Sequence, residues 1–259
     1  MFSGCPTSQK IPFFSEEDLA LVQENRVPRH VALIMDGNRR WARKRIRSKI
    51  TNPLNGHWVG AQALSSVLEA SSYLGIKILT VYAFSTENWS RSPREINTLF
   101  RIFEAFLKEN RQKMVDEGVH FEIIGDLGPI PNWLKEEIFL SMEATAKGTN
   151  IRFVVAMNYG ARDEMRRAIT AMVEEAEAGK LRKEEISEEL IGSYLDTASF
   201  EDPDLLIRTG GAMRISNFLL WQLAYTEVYV TEVLWPDFTP HDLITAIVDF
   251  QKRERRRGH

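Results

Sequence analysis

The stretch HVALIMDGNRRWARKR, residues 30–45, decides how the rest of the chain is read. Residues 31–35 form a short continuous apolar run that stops at turn residues. That is the mark of a strand buried on both faces in the middle of a parallel sheet. In open α/β sheets ligands bind beyond the carboxyl ends of such strands, so Asp36 stands at the mouth of a crevice. Gly37 lets backbone approach a ligand, and Asn38 is suited to cap the helix that follows. Arg39, Arg40, Arg43, Lys44 and Arg45 come next. One carboxylate beside free helix-end amides and several arginines suits a divalent metal with a phosphorylated ligand. The plainer alternative is a capped helix start with a solvated basic face.

Outward from this stretch, the pattern of strand, polar loop and helix repeats. The segments 78–84, 119–124, 151–157, 204–208 and 228–234 read as further strands. Between them lie helical patterns at about 56–74, 92–114 and 132–146, a long amphipathic helix after Tyr159-Gly160, an acidic helical stretch near 183–195 and a closing helix before the tail. Phe218-Leu219-Leu220-Trp221 reads as the start of a buried helical turn, and residues 43–55 as a polar loop closed by Asn52-Pro53. Six strands alternating with helices predict an α/β fold, with one central, mostly parallel six-stranded sheet covered by helices. Residues 1–29 read as an N-terminal arm with a short helix after Ser15, and 30–259 as one domain.

Composition narrows the possibilities. The chain has 259 residues, 44% hydrophobic and 27% charged, enough for one large core. Its net charge of -3 argues against a general polyanion binder, and no nucleic-acid motif accompanies the basic clusters at 39–49 and 252–257, so no nucleic-acid partner is expected. Cys5 is the only cysteine, which excludes an internal disulfide and fits a reducing cytoplasm. No apolar run reaches the length of a membrane span, and residues 1–10 lack a signal-peptide core. Walker A, G-x-G-x-x-G after a strand, and H-E-x-x-H are all missing.

Three strand ends carry chemically equipped loops: DGN at 36–38, STENW at 85–89, and RTGG at 208–211 with RIS at 214–216. Asp36 is the metal candidate, with helix capping as its alternative role. Arg208 and Arg214 flank two glycines that allow amides to turn inward, a phosphate-binding arrangement unless the arginines form structural ion pairs. Glu227 is a candidate second metal carboxylate. His57, at a helix start, is placed to donate to a phosphate or serves only packing. Asn88 is a poor base, so orienting a substrate is its easier role. The broad face of Ile96, Leu99, Phe100, Phe103, Phe106 and Leu107 is either core or the wall of an apolar cavity.

In order and spacing, HVALIMDGNRRWA, Gly56-His57, YAFSTENWSRS, NYGARDE and DLLIRTGG-x-x-RISNFLLWQ with TEVYVTEVLWPDF resemble the cis-prenyltransferases, with the bacterial undecaprenyl diphosphate synthases as the nearest branch. The likeness spans roughly residues 28–256. It implies sequential condensation of isopentenyl diphosphate onto an allylic diphosphate such as farnesyl diphosphate, with new cis double bonds, giving a long-chain polyprenyl diphosphate that precedes a cell-wall lipid carrier. It also implies Mg2+, a homodimer, a hydrophobic product tunnel, and transient contact of a cytoplasmic protein with the inner leaflet. By the same resemblance Asp36 is the metal aspartate. Gly37, Asn38, Arg39 and Arg40 hold the allylic diphosphate, with Trp41 and His57 nearby. Ser85, Thr86, Glu87, Asn88, Trp89 and Arg91 form the substrate loop. Arg208, Arg214, Ile215 and Ser216 hold isopentenyl diphosphate, and Glu227 completes the metal site. Ile96, Leu99, Phe100 and Phe103 wall the tunnel, which the small Ala83 helps keep open.

The chain departs from the family pattern in a longer link between Trp41 and His57, where Arg47 or Lys49 would reach the diphosphate, and in Arg39, where some members have glycine. The alternative within the family is a non-catalytic partner subunit. Asp36, Asn88, Arg208, Arg214 and an Arg-x-Gly end at 256–258 weigh toward activity.

Overall fold

A computed structural model describes residues 13–23, 26–46 and 55–253. Arg47, Lys49 and the Arg-x-Gly end at 256–258 lie outside the described residues. The chain runs α1 (Glu16–Leu21), β1 (His30–Ile34), α2 (Asn38–Ile46), α3 (Asn55–Tyr73), β2 (Ile78–Ser85), α4 (Pro93–Asp116), β3 (Val119–Ile124), α5 (Asn132–Thr145), β4 (Ile151–Tyr159), α6 (Ala161–Glu177), α7 (Glu188–Ser193), β5 (Leu205–Arg208), β6 (Glu227–Val230) and α8 (Pro240–Lys252). The six strands form one sheet in the order β3-β4-β2-β1-β5-β6, and every pairing is parallel.

β1 is the hinge of this order. The chain lays β2 beside β1, goes out to the edge for β3, steps back to insert β4 between β3 and β2, then returns to lay β5 and β6 on the other side. Such a reversal opens a crevice at the carboxyl edge, and here it falls between β1 and β5, where Ile34 pairs with Arg208. All five β1 residues are buried. Val31 and Leu33 join the larger core, under α3, α4 and α8, while Ala32 and Ile34 join a smaller core with Tyr159, Leu206 and Phe218. A strand sealed on both faces needs the unbroken apolar run seen in the sequence.

The arm docks on the domain. Ser15 and Asp18 cap α1 reciprocally, Val22 is buried, and the Gln23 backbone exchanges hydrogen bonds with the Gln251 side chain on α8. Three local expectations need correction. The polar stretch after Trp41 remains helical through Ile46. Residues 218–221 form turns rather than a helix, because Ser216, Asn217 and Leu219 all have positive φ. β6 ends at Val230, since the backbone beyond it bends to meet the 210–211 loop.

Candidate active site

Asp36 leaves β1 with its carboxylate between two guanidinium groups: Arg208 Nη2 lies 2.9 Å from Oδ2 and Arg40 Nη2 lies 3.2 Å from Oδ1. The aspartate backbone is anchored as well. Its carbonyl accepts from Thr209 Oγ1 at 2.7 Å and from the Trp235 amide at 3.0 Å. Asp36 is therefore no helix cap, and neither is Asn38. The Gly37 carbonyl accepts the first helical bond, from the Trp41 amide, while Asn38 Oδ1 is buried without a partner. Gly37 has φ +117 and lies so close to Leu234 that a Cβ would meet it at 2.9 Å, so the turn into α2 requires glycine.

Arg208 is buried, and its Nη1 donates to the Arg214 carbonyl and to Ser216 Oγ, at 2.8 Å for the latter. Its Nε has no partner. Arg208 thus shapes the 209–216 loop and faces Asp36 together. Arg40 Nη1 donates to the Gly210 carbonyl at 2.6 Å, and a Cβ on Gly210 would collide with the same guanidinium. Arg214 is exposed and makes no ion pair among the described residues.

The STENW loop closes the other side. Thr86–Ser90 is a tight 3-10 turn after β2. Asn88 Oδ1 accepts from the Ser85 amide at 3.2 Å, so its acceptor is already engaged and its amide nitrogen is the group left to offer. Glu87 accepts from Asn217 at 2.8 Å. Burial pushes the Glu87 carboxyl up, but hydrogen bonds from Asn217, its own backbone, Ser85 and Thr86 outweigh that and hold it below the usual range. Trp89 donates to Asn158 Oδ1 at 2.7 Å, with its ring against Phe84 and Phe100. Arg91 pairs with Glu95 at 3.2 Å, and Arg39 reaches the same carboxylate at 4.0 Å.

His57 opens α3 beneath these arginines. Burial, helped by Arg91 and Arg39 and opposed by Glu95, lowers its pKa to about 4, so the ring is neutral near pH 7 and donates from one nitrogen only. Its Nε2 is buried without a partner. His57 and Asn38 border a cavity of about 100 Å³ that runs inward between the sheet and helices α3 and α4, past Ala83, Phe84, Leu99, Phe103 and Phe106. The wide aromatic face of α4 is therefore both core and wall. Ile96 belongs to the core and does not reach the cavity.

The structure separates three residues from the site as read in the sequence. Glu227 is the first residue of β6, in register with Leu205 at the amino edge, and its carboxylate takes Arg253 Nη1 at 2.8 Å. Asp36 lies beyond Ile34 at the opposite edge, so within one chain the two carboxylates share no ion. Motif order carries no information about strand ends. Trp41 is buried against Ala42 and Leu234 and donates to Asp237 Oδ1 at 2.7 Å, so it seats α2. Ile215 likewise packs into the smaller core. Sequence reasoning missed Thr209, Asn217 and Asp237, which hold Asp36, Glu87 and Trp41. It also missed Glu232, the carboxylate that lies against Gly211 at the carboxyl edge. The one signal available for them was their place within the RTGG, RISN and TEVLWPDF motifs.

Known proteins resemble this chain in sequence and fold. Residues 34–258 match the prenyltransferase family described for undecaprenyl diphosphate synthase. An isoprenyl transferase of Chlamydia trachomatis serovar D is 46% identical over 247 residues, covering 93% of this chain and 98% of the relative. One from Bacillus anthracis is 44% identical over 237 residues, covering 92% and 90%. Among solved structures, lavandulyl diphosphate synthase from Lavandula x intermedia, in complex with dimethylallyl diphosphate, superposes with a TM-score of 0.87 at 35% identity, covering 91% of this chain and all of that one. A probable undecaprenyl diphosphate synthase from Campylobacter jejuni gives 0.74 at 34% identity, covering 90% and 99%.

Proposed function

We propose that this chain, which belongs to the undecaprenyl diphosphate synthase family of prenyltransferases, condenses isopentenyl diphosphate sequentially onto an allylic diphosphate such as farnesyl diphosphate. The new double bonds are cis and the product is a long-chain polyprenyl diphosphate, of undecaprenyl length in our reading. The observation that carries it is the apolar cavity bordered by Met35, Asn38 and His57, next in the chain to the Asp36 that pairs with Arg208, with the unpartnered Asn38 Oδ1 and His57 Nε2 on its border.

The allylic diphosphate sits at the start of α2. The amides from Gly37 onward point toward it, as helix N-termini do for phosphate, and Arg39, Arg40 and His57 surround it. Its hydrocarbon tail enters the cavity. Isopentenyl diphosphate is held by Arg208, Arg214 and Ser216, so that its double bond faces the allylic carbon, which converts an encounter into an oriented reaction. As the allylic C–O bond breaks, negative charge grows on the departing diphosphate, and the fixed guanidinium groups stabilise it more than the ground state. The isopentenyl double bond supplies the electron pair for the new C–C bond, and loss of a proton from that unit forms the new alkene. Asn88 orients substrate with its amide nitrogen.

A divalent metal fits one carboxylate plus substrate phosphates, the mode that Mg2+ prefers. Asp36 offers that carboxylate. No cluster of three or more His, Cys, Asp or Glu able to hold a metal occurs among the described residues, so a cage made by protein alone does not fit. When bound, Mg2+ would neutralise diphosphate charge.

The same proposal includes a homodimer. Its face is the apolar groove of about 440 Å³ lined by Met165, Ile169, Val173, Ile186 and Trp221, where Ile169, Val173 and Ile186 are exposed. It also includes a cytoplasmic protein in transient contact with the inner leaflet at product release. No helix among the described residues is long and apolar enough to cross a membrane. The paired Asp36, Arg40 and Arg208 give no support to a non-catalytic partner subunit.

The test is a product assay with labelled isopentenyl diphosphate, Mg2+ and geranyl, farnesyl or geranylgeranyl diphosphate, with products sized by mass spectrometry. A ladder of polyprenyl diphosphates is expected. Folded protein that makes nothing from any of the three primers would overturn the reading in favour of the partner subunit.

A further inference from the structure

The exits of β2, β4 and β5 meet at one side chain, Asn217, which follows the 209–216 loop. Its carbonyl accepts from the Ala161 amide at 2.8 Å, and its Oδ1 accepts from the Arg162 amide at 3.0 Å. Asn217 thus caps α6, where Gly160 has no side chain to do so. Its Nδ2 donates to Glu87 Oε1 at 2.8 Å, on the turn that leaves β2. Chemistry fixes the orientation of this amide, since a backbone N–H can only donate and an ionised carboxylate can only accept.

Asn217 has little freedom to stand elsewhere. Ser216 before it is held by Arg208 Nη1 at 2.8 Å, and Phe218 after it is fully buried and stacked on Tyr82, with ring centroids 4.4 Å apart. Its own φ is +61, which asparagine adopts more readily than most residues. Gly160 leaves the room: a Cβ there would meet Thr86 Oγ1 at 2.5 Å and Asn217 Nδ2 at 2.7 Å. The turn on the other side is braced too. Ser90 Oγ donates to the Glu87 carbonyl at 2.7 Å, the Ser85 amide to Asn88 and the Trp89 ring to Asn158. So braced, the turn moves as one piece, and the Glu87–Asn217 bond joins all of it to the loop that Arg208 shapes. Hydrogen bonds run on from Asn217 through its neighbour Ser216 to Arg208 and Asp36. On charge alone a carboxylate beside two diphosphates is unfavourable. Its bond to Asn217 gives the chain a reason to keep one at position 87.

We propose that Asn217 is a positioning residue that clasps the two substrate half-sites together, so that a ligand ordering the 86–90 turn also sets the Arg208–Ser216 loop for the second diphosphate. The proposal rests on the prenyl-transfer reading for which diphosphate lies where. A ligand that orders one of two tied loops leaves less ordering for the next ligand to oppose, so the two bind cooperatively.

The experiment uses the full chain and needs no turnover. Affinity for isopentenyl diphosphate with Mg2+ is measured by calorimetry, with and without the saturated analogue of farnesyl diphosphate, which lacks the allylic double bond and cannot react. The analogue should tighten isopentenyl diphosphate binding by about five-fold or more, the lower end of typical coupling between sites. In Asn217→Asp one oxygen still accepts from the Arg162 amide and caps α6, while the other faces Glu87 in place of a donor. The tightening should vanish with little change in urea stability. Asn217→Asp combined with Glu87→Gln reverses donor and acceptor, and should restore it. If Asn217→Asp does not fold, Glu87→Ala decides the matter, because it removes the acceptor at an exposed position, leaves the cap and should also abolish the tightening. A purely structural Asn217 would lower stability without touching the tightening, or lose it with no recovery in the paired variant. Either result, or a wild type that binds both ligands independently, overturns the clasp and leaves prenyl transfer standing. Folded wild type that binds neither ligand overturns both. Cooperativity lost and restored as expected, in a protein that makes no product from reactive primers, supports the clasp and counts against prenyl transfer.

Discussion

At the amino edge of the sheet, His30 has both ring nitrogens bonded, one to the Glu201 carbonyl at 2.6 Å and one to Thr80 Oγ1 at 2.7 Å. Nearby, Asp204 accepts from the Arg29 and His30 amides, and Glu227 is paired with Arg253. At the carboxyl edge, His57 Nε2, Asn38 Oδ1 and Arg208 Nε are buried with no partner. The same residue types are thus complete at one end of the strands and incomplete at the other. A buried polar atom left unpaired costs about 1–3 kcal/mol, so a protein retains several together only where something else completes them. The amino edge holds the strands in register, and the carboxyl edge awaits a ligand.

Substitutions can break this contrast, and the largest effect belongs to Asp36. Asp36→Asn keeps the shape but removes the charge between Arg40 and Arg208. Product formation should fall by about 10²–10³-fold or more, because Arg40 and Arg208 lose the carboxylate that orients them toward the departing diphosphate and a divalent ion loses its protein carboxylate, an effect on the scale of losing one preorganised charge-stabilising contact, measured as kcat/KM for isopentenyl diphosphate. Arg208→Lys comes next. It keeps the charge but loses the fork that spans Asp36, Ser216 and the Arg214 carbonyl. A charge-assisted hydrogen bond contributes about 1.5–3 kcal/mol, so KM for isopentenyl diphosphate should rise by one to two orders of magnitude, read from initial rates.

At the amino edge the effect should appear in stability alone. Thr80→Val leaves His30 Nε2 without its partner, lowering unfolding free energy by about 1–3 kcal/mol in urea titration and leaving kcat/KM unchanged. The smallest effect is in pH. Burial lowers the His30 pKa to about 4, below its usual 6.5, against a raising influence from Glu201 and Asp204. As pH falls from 6.5 toward 4, the unfolded chain takes up a proton that the folded chain refuses. His30 therefore subtracts from stability over that window, by up to about 1.4 kcal/mol per pH unit, and adds nothing further below it. His57 has the same sign, with its pKa also lowered to about 4. The two should separate when inorganic pyrophosphate is added. An anion beside His57 favours its protonated form and reduces that part of the acid loss, while the His30 part remains. Urea titrations across this window, with and without pyrophosphate, check it.

The strands were legible because β1, β2 and β4 are largely apolar stretches bounded by turn chemistry, while β3 alternates polar and apolar residues. The parallel order followed from helices placed between them. Asp36, Arg208 and the STENW loop were legible because residues at strand ends share one edge in a parallel sheet. Glu227 was joined to the metal site through the family resemblance, whereas its place just before a strand of a parallel sheet already pointed to the amino edge, where the structure has it. The turns at 216–219 resist reading because Ser and Leu rarely adopt positive φ, and what holds them there is tertiary: the packing of Phe218 and Leu219 in the smaller core, the Arg208 bond to Ser216, and the Ala161 amide donating to the Asn217 carbonyl. Asn38 looked like a cap by type, whereas the chain uses the Gly37 carbonyl and leaves the asparagine oxygen facing the cavity.

The central claim, that the carboxyl-edge crevice joins two diphosphates with cis geometry, is tested most directly by one turnover. Purified protein is mixed with farnesyl diphosphate, one equivalent of labelled isopentenyl diphosphate and Mg2+, and the geometry of the newly formed double bond is read by NMR beside the Asp36→Asn variant. A cis double bond from the wild type, with none formed by the variant in the same time, is the predicted result. A trans double bond, or equal turnover by the variant, would contradict it.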